Sequence, residues 1–519
     1  MDLNDLCITL ILVNCVWLLV MRPAQLWVIK IVAVLVLLGS VWLWRPDRAG
    51  YYAVGPWALL IMLPMWLQHG TMFLMQQRRL SLASWLSAVL TFLHPSASAR
   101  AMRKMIGVLR LMYRGEVAAG LELAKRYGIH DPGLRHLGMV LEAQKTGDWA
   151  TFENELQQSH LNSLYDPILL SGQLVATAQR GDWEEFRRLC HAVGQARFSP
   201  DMNSSLYLRS FALLGDVAAV QCVSASSGHQ LPYENREYWT AVAEQISGAG
   251  EVARQRLVRL LPRASASMRP AIERQLAHPI AGPTNAELRS LSWGELSSVL
   301  PELTHDARYA VLSGGIPRWP WMTFSLMLVL VAVFVQEIPG GSENIDNLER
   351  MGAMVVPLTG VPGEWKNAFI AGFLHFGPVH LALNLVGLLF LGRLVERAWG
   401  RVGMLLLFLV CNVTSAALLP WFTFQSPGDS SVSAGASGGI MGLLGGLWGH
   451  LLIGWLKRKT PLISRQFRTA CTVVIAQCVC DIMTPQVSMT CHLIGFVTGV
   501  LVAIIVGLCG GRRFGVSPV

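Results

Sequence analysis

Long apolar runs limit most sharply what this chain can fold into, because each approaches the length needed to cross a hydrocarbon core, about 20 residues. They lie at roughly 7–21, 26–44, 52–67, 321–338, 378–395, 402–422, 434–455, 467–484 and 489–509, which predicts nine spans. The third run carries Pro56 and Pro64, and the first is short. Only 14% of the 519 residues are charged and 52% are hydrophobic, so an all-α polytopic membrane protein is expected. The N-terminus, MDLND, has neither a basic stretch nor a small-residue cleavage site, so the spans are expected to persist in the mature protein.

The net charge of +9 does not call for nucleic acid. Within the C-terminal spans the basic residues occupy alternate loops: Arg393, Arg397 and Arg401, then Lys457, Arg458, Lys459, Arg465 and Arg468, then Arg512 and Arg513. By the positive-inside rule those loops and the C-terminus are cytoplasmic. The ten cysteines show no zinc-type C-x-x-C pairing, and most lie in or beside apolar spans, where they read as small hydrophobes. No metal and no cofactor is expected.

Between about residues 95 and 275 the pattern changes to amphipathic helices with mixed charge. A turn signature recurs as RGE, TGDW, RGDW, LGDV and AGEV, with glycines at Gly115, Gly147, Gly181, Gly215 and Gly250, spaced 32, 34, 34 and 35. Glycine lets the chain leave one helix tightly, and Asp or Glu caps the next. A period near 34 fits tetratricopeptide-like helix pairs stacked into a short soluble α-solenoid. Such a stack serves either as a protein-binding surface or as a rigid spacer. Residues 276–320, rich in Pro, Gly and Ser, read as a linker that accommodates a short helix over Ala286 to Leu300. The expected domains are therefore 1–70 (N-terminal transmembrane helices), 71–275 (repeats), 276–320 (linker) and 321–519 (membrane core).

The chemistry concentrates in that core. In SVSAGASGGIMGLLGGLWGH, residues 431–450, Ser437 opens an apolar helix with glycines at 438, 442, 445 and 449, which clear one face for close approach of another helix. His492, Gly495 and Gly499 share a face of the last span. Packing the two faces together sets Ser437 and His492 at the same depth, as nucleophile and general base. Serine among glycines is more often packing, but an ionisable residue inside a span is a functional candidate by default. His380 and Asn384, i and i+4 on one helical face near the outer end of their span, are placed to donate to an oxyanion. His375, in the preceding loop, reads as fixing that loop by mutual hydrogen bonding. Asp481, near the outer end of the fifth core span, is a candidate third member, although an acid there more simply faces interfacial water. His450 lies thirteen residues beyond Ser437 and reads as structural.

These residues carry a resemblance. The motifs H-F-G-P-V-H-L-A-L-N at 375–384, Glu396 followed by Gly400, G-A-S-G at 435–438 and H-L-I-G-F-V-T-G at 492–499 resemble the six-helix core of the rhomboid proteases. The resemblance implies an intramembrane serine endopeptidase with a Ser437–His492 dyad and no catalytic Asp. It implies an oxyanion hole using His380 and Asn384, and cleavage of membrane-spanning substrates near the extracytoplasmic side. Where family members often carry Trp-Arg in the first long loop, this chain has Trp365-Lys366, and lysine lacks the planar fork. The alternative is a catalytically silent scaffold or quality-control module acting through the repeats. The expected setting is multi-pass in a bacterial inner (plasma) membrane, with the repeat domain cytoplasmic. The expected partners are transmembrane substrates, the lipid bilayer and a protein bound by the repeats, with no nucleic acid.

Overall fold

The computed structural model describes residues 3–21, 25–159, 161–195, 198, 200–227, 231–284, 296, 298–313, 319–356, 364–422, 431–483 and 488–509. Arg512, Arg513 and most of the helix expected over Ala286 to Leu300 lie outside them. The chain divides into two compact units, Met1–Pro301 and Glu302–Val519. Most of the described residues are helical, as expected for a chain that must satisfy its backbone within lipid.

The first unit opens with helices Leu3–Met21 and Gln25–Trp44. Buried Asn4 ties the first of them to the turn beyond the second, accepting from the Gly50 N–H at 2.7 Å and donating to the Pro46 carbonyl at 2.9 Å. The third apolar run is longer than its sequence pattern suggests, continuing helically from Pro46 to Gln76. Pro56 and Pro64 do not break it. Between them Ala58–Met62 widens into a π turn, which relieves the clash of the Pro64 ring with the carbonyl one turn back. The boundary read at residue 70 thus falls inside a helix, and a further apolar helix, Leu80–Leu93, packs against the segment Leu63–Gln76.

Five helix pairs follow: Ala97–Tyr113 with Val117–Arg126, Pro132–Thr146 with Trp149–Gln158, Pro167–Arg180 with Trp183–Gln195, Pro200–Leu213 with Val217–Ser227, and Tyr233–Ile246 with Gly250–Leu260. In the middle three the turn works as the sequence implies. Gly147, Gly181 and Gly215 adopt positive φ, then Asp148, Asp182 and Asp216 each accept a backbone N–H three residues on. The next residue begins the buried face, as Trp149 and Trp183 do. The fifth turn corrects the sequence reading. Gly248, with φ of 95°, makes the left-handed exit, and Gly250 is the first residue of the next helix. Of two glycines in S-G-A-G, the one nearer the preceding helix closes that helix's last carbonyls.

The second unit is the helical core. Six helices among the described residues of the whole chain are long and apolar enough to cross a membrane. One of them, Gly377–Phe422, runs 46 residues but breaks at Gly400 (φ 77°, ψ 173°) into two passes. Of the nine runs, Leu3–Met21 and Pro461–Met483 fall outside that set. The latter carries Arg465, Arg468 and Asp481. The first core helix, Trp321–Glu337, has no side-chain cap of its own. Buried Glu396, from the neighbouring helix, supplies one, accepting from the Met322 N–H (3.1 Å), the Thr323 N–H (2.9 Å) and the Thr323 hydroxyl (2.8 Å).

Helices Ser437–Lys457 and Met489–Cys509 pack in parallel with backbones almost touching. A Cβ added at Gly495 would fall 2.2 Å from the Gly438 carbonyl oxygen, one at Gly499 2.1 Å from that of Gly442, and one at Gly449 2.9 Å from the Ala503 Cβ. A two-stranded antiparallel ribbon, absent from the sequence reading, pairs Met354–Val356 with Ser431–Ser433. Part of the segment read as linker also belongs to this unit. Helix Leu300–Tyr309 lays Asp306 against the Thr460 hydroxyl at 2.6 Å and seats the Tyr309 ring over Gly454.

Candidate active site

Chain direction gathers the polar groups at one end. Ser437, His492 and His380 each lie in the first turn of a helix, while Glu337 and Asp481 lie in the last turn of helices that run the opposite way. Basic residues mark the other end: Arg393, Arg397 and Arg401 flank the Gly400 break, and Lys457 closes the serine helix.

Ser437 is the first residue of its helix, and the residue before it, Ala436, contributes no capping side chain. Alanine is a poor N-cap, and the first N–H groups of any helix lack intrahelical acceptors. The first bond of this helix is made by Ile440, to the Ala436 carbonyl. Helical geometry thus leaves the N–H groups of Ser437, Gly438 and Gly439 at its positive end, beside the serine hydroxyl. Only Gly435 (φ 143°) fits the approach. A Cβ there would fall 2.8 Å from His380 Cε1 and 3.8 Å from Ser437 Oγ, so the His380 ring and the hydroxyl border the same space. The Gly435 N–H is committed to the Ala371 carbonyl at 2.9 Å.

The parallel glycine register brings Gly438 onto Gly495, which sets Ser437 level with the turn that carries His492. His492 is buried, and its Nδ1 lies 2.9 Å from Asp481 Oδ2. The carboxylate can only accept, so Nδ1 carries the proton and Nε2 of the neutral ring is left as the acceptor. Gln477 donates to the other carboxylate oxygen of Asp481 at 2.8 Å. Asp481 is 7% exposed, so it does not face interfacial water as the simpler sequence reading has it. The contact joins helix Pro461–Met483 to helix Met489–Cys509, a pairing that spacing alone does not reveal.

His380 is fixed in the opposite sense. Its Nδ1 accepts the Phe376 N–H at 3.3 Å, so Nε2 carries the proton and is a donor. Asn384 is buried beside it and gives one amide hydrogen to the His380 carbonyl at 3.0 Å. Its second amide hydrogen is not used by that bond. His375 holds the loop differently from the sequence expectation. Its backbone N–H, not mutual bonding between histidine rings, is held by the fully buried carboxylate of Glu337 at 3.2 Å, and its ring lies edge-on to His380. Glu337 gave no sequence signal beyond being an acid at the end of an apolar run. His450 donates its Nε2–H to the Arg308 carbonyl (3.3 Å) and packs on Tyr309, remote from this end. Among the described residues no group of three His, Cys, Asp or Glu side chains forms a metal cradle.

Comparison with known proteins converges on the same block. Residues 362–509 match the family described as Rhomboid domain. Rhomboid protease GluP of Bacillus subtilis is 32% identical over 210 residues, 40% of this chain and 38% of that protein. RHOMBOID-like protein 4 of Arabidopsis thaliana is 31% identical over 161 residues, 30% of this chain and 38% of that protein. Rhomboid protease AarA of Providencia stuartii is 24% identical over 201 residues, 35% of this chain and 71% of that protein. The chain thus spans well under half the length of the first two of these curated relatives. No solved structure matches. The matched residues contain Ser437, His492, His380 and Asn384, and this all-α, multi-pass membrane protein carries a rhomboid domain.

Proposed function

We propose that this protein is an intramembrane serine endopeptidase in which Ser437 is the nucleophile and His492 its general base. The supporting observation is the glycine register, in which Gly438 meets Gly495 and Gly442 meets Gly499, since it levels the serine with a histidine whose Nε2 is free to accept a proton. In the reaction His492 Nε2 takes the Ser437 proton as Oγ attacks a peptide carbonyl, and later returns it to the leaving amine. The negative charge that develops on the carbonyl oxygen meets three kinds of donor: the His380 Nε2–H, the second amide hydrogen of Asn384, and the N–H groups at the start of the serine helix.

The substrates that suit such a site are membrane-spanning proteins, cut near their extracytoplasmic boundary. A regular transmembrane helix hides its carbonyls, and exposing one in lipid costs several kcal/mol. Segments weakened by Gly or Pro, with a small side chain at the cut, are therefore preferred. The proposed setting is a bacterial inner membrane, with the five helix pairs in the cytoplasm and available to a protein partner. A serine-reactive fluorophosphonate probe tests the core of the proposal. Labelling of the wild type and not of Ser437→Ala, with His492→Ala also unlabelled, supports it. Equal labelling of all three would leave a silent membrane scaffold as the better account.

A further inference from the structure

We infer that Asp481 is the positioning residue of this site, holding His492 in the tautomer and ring orientation that a base for Ser437 needs, so that the centre works as a Ser–His–Asp triad. The inference rests on the protease reading above and departs from the two-residue centre that the family resemblance implies. Both side chains are buried, the Nδ1–Oδ2 distance is 2.9 Å, and Gln477 fixes the second oxygen, so the carboxylate has one orientation. Among the described residues no arginine or lysine is paired with Asp481, so the only cation it meets is the imidazolium formed when His492 takes the serine proton. Asp481 accepts the Nδ1 hydrogen throughout and is not itself protonated.

The competing account is a buried clip between two helices. Asp481→Asn separates the two, because the amide keeps the shape but can turn to donate to Nδ1, which favours the tautomer with its proton on Nε2. Purified full-length protein in liposomes, cutting a fluorogenic transmembrane substrate, should show kcat reduced between tenfold and about 10⁴-fold in Asp481→Asn with KM little changed. Asp481→Glu should recover part of the loss, and melting temperatures should stay close to wild type. Nitrogen-15 spectra of Ser437→Ala protein should show the His492 proton on Nδ1 and its redistribution on adding Asp481→Asn. Wild-type kcat in Asp481→Asn, or a loss matched by loss of folded protein, overturns the inference. If Ser437→Ala still cuts, the protease reading falls instead, while the spectra continue to report whether Asp481 holds the ring.

A second, independent observation lies among the helix pairs. A cavity of about 500 Å³ is lined by Arg180, Arg209, Arg274, Gln275, Trp239 and neighbouring residues, and no acidic side chain lines it. Gln275 is 4% exposed, and its Nε2 has no hydrogen-bond partner. Arg209 is held by the Ser205 hydroxyl and the Trp239 face rather than by an anion, and burial lowers its guanidinium to about 10. Arg274 donates to the carbonyls of Lys145 and Gln144, which leaves part of its fork for a ligand. We propose that this cavity binds a carboxylate, either on an acidic peptide segment or on a free dicarboxylate. Calorimetry on the full-length protein in nanodiscs, with a Glu-rich heptapeptide, its Gln analogue and glutarate, distinguishes the sources. Expected is binding of the peptide or of glutarate, at least about tenfold weaker in Arg209→Gln and unchanged in Arg254→Gln. Equal binding of the Gln analogue, no loss in Arg209→Gln, or no binding by either carboxylate overturns it.

Discussion

Replacing Gly495 by alanine should separate catalysis from folding. The new methyl carbon would lie 2.2 Å from the Gly438 carbonyl oxygen, about 1 Å inside the separation at which a carbon and an oxygen ordinarily touch. The obstacle is backbone, so no rotamer change relieves it. The neighbouring positions offer no slack, since a Cβ at Gly499 would meet the Gly442 oxygen at 2.1 Å and one at Gly445 the Phe496 oxygen at 2.0 Å. The two helices must therefore part by roughly 1 Å near the site, at a cost of about 1–3 kcal/mol for overpacking. His492, one turn away, moves with its helix. A misplacement of about 1 Å in a catalytic pair costs on the order of 10²-fold in rate. The assay is cleavage of a transmembrane substrate in liposomes alongside thermal unfolding, with Gly507→Ala as the comparison. There the added methyl would meet the Ile453 side-chain tip at 2.7 Å, which can swing aside. If Gly495→Ala cuts at the wild-type rate, or if Gly507→Ala loses as much, the register is not what aligns Ser437 with His492.

Three further outcomes follow from the same geometry. Asn384→Ala should lower kcat by about 10²–10³-fold at most, because the other donors remain, and full turnover would remove Asn384 from the site. Glu396→Ala strands the Met322 and Thr323 donors in a buried position and should destabilise the core by at least about 2 kcal/mol in a reversible unfolding assay, whereas an unchanged midpoint would show that water replaces the cap. Burial pushes the Asp306 carboxyl up to about 6, so folding favours its protonated form; this stabilisation is complete below the ordinary carboxylate range and is lost as pH rises through about 6. Asp306→Asn should flatten the melting temperature across that window, and an unaltered pH profile would show that Asp306 is not the titrating group.

What was legible in the sequence was local. The glycines at 438, 442, 445, 449, 495 and 499 announce two faces that must meet, and they do meet in register. The Gly-Asp turns at 147, 181 and 215 announce their own caps. Less visible was anything set by the meeting of distant segments. Asp481 and Glu337 read as acids at span ends because their partners, His492 on another helix and the His375 N–H in a loop, lie on distant segments. Ala436 belongs to the G-A-S-G motif, but the motif does not say why: what matters at this N-cap is the capping side chain it lacks. The turn at S-G-A-G was misplaced by two residues because either glycine satisfies the pattern, and only helix geometry chooses Gly248. The strands at Met354–Val356 and Ser431–Ser433 are three residues each, too short for alternation to show.

That ribbon also bears on how related chains can differ in length. Ser433 is locked opposite Met354, and Gly435 is tied to Ala371, so the distance along the chain from ribbon to Ser437 is set at four residues. One residue inserted between Ser433 and Ser437 would either turn the hydroxyl away from His380 or break the pairing. One inserted before Ser431 would disturb neither. Insertions and deletions that leave the site intact should therefore collect upstream of the ribbon, and the four-residue interval should serve as a ruler for locating the serine that corresponds to Ser437 in chains whose other motifs have drifted.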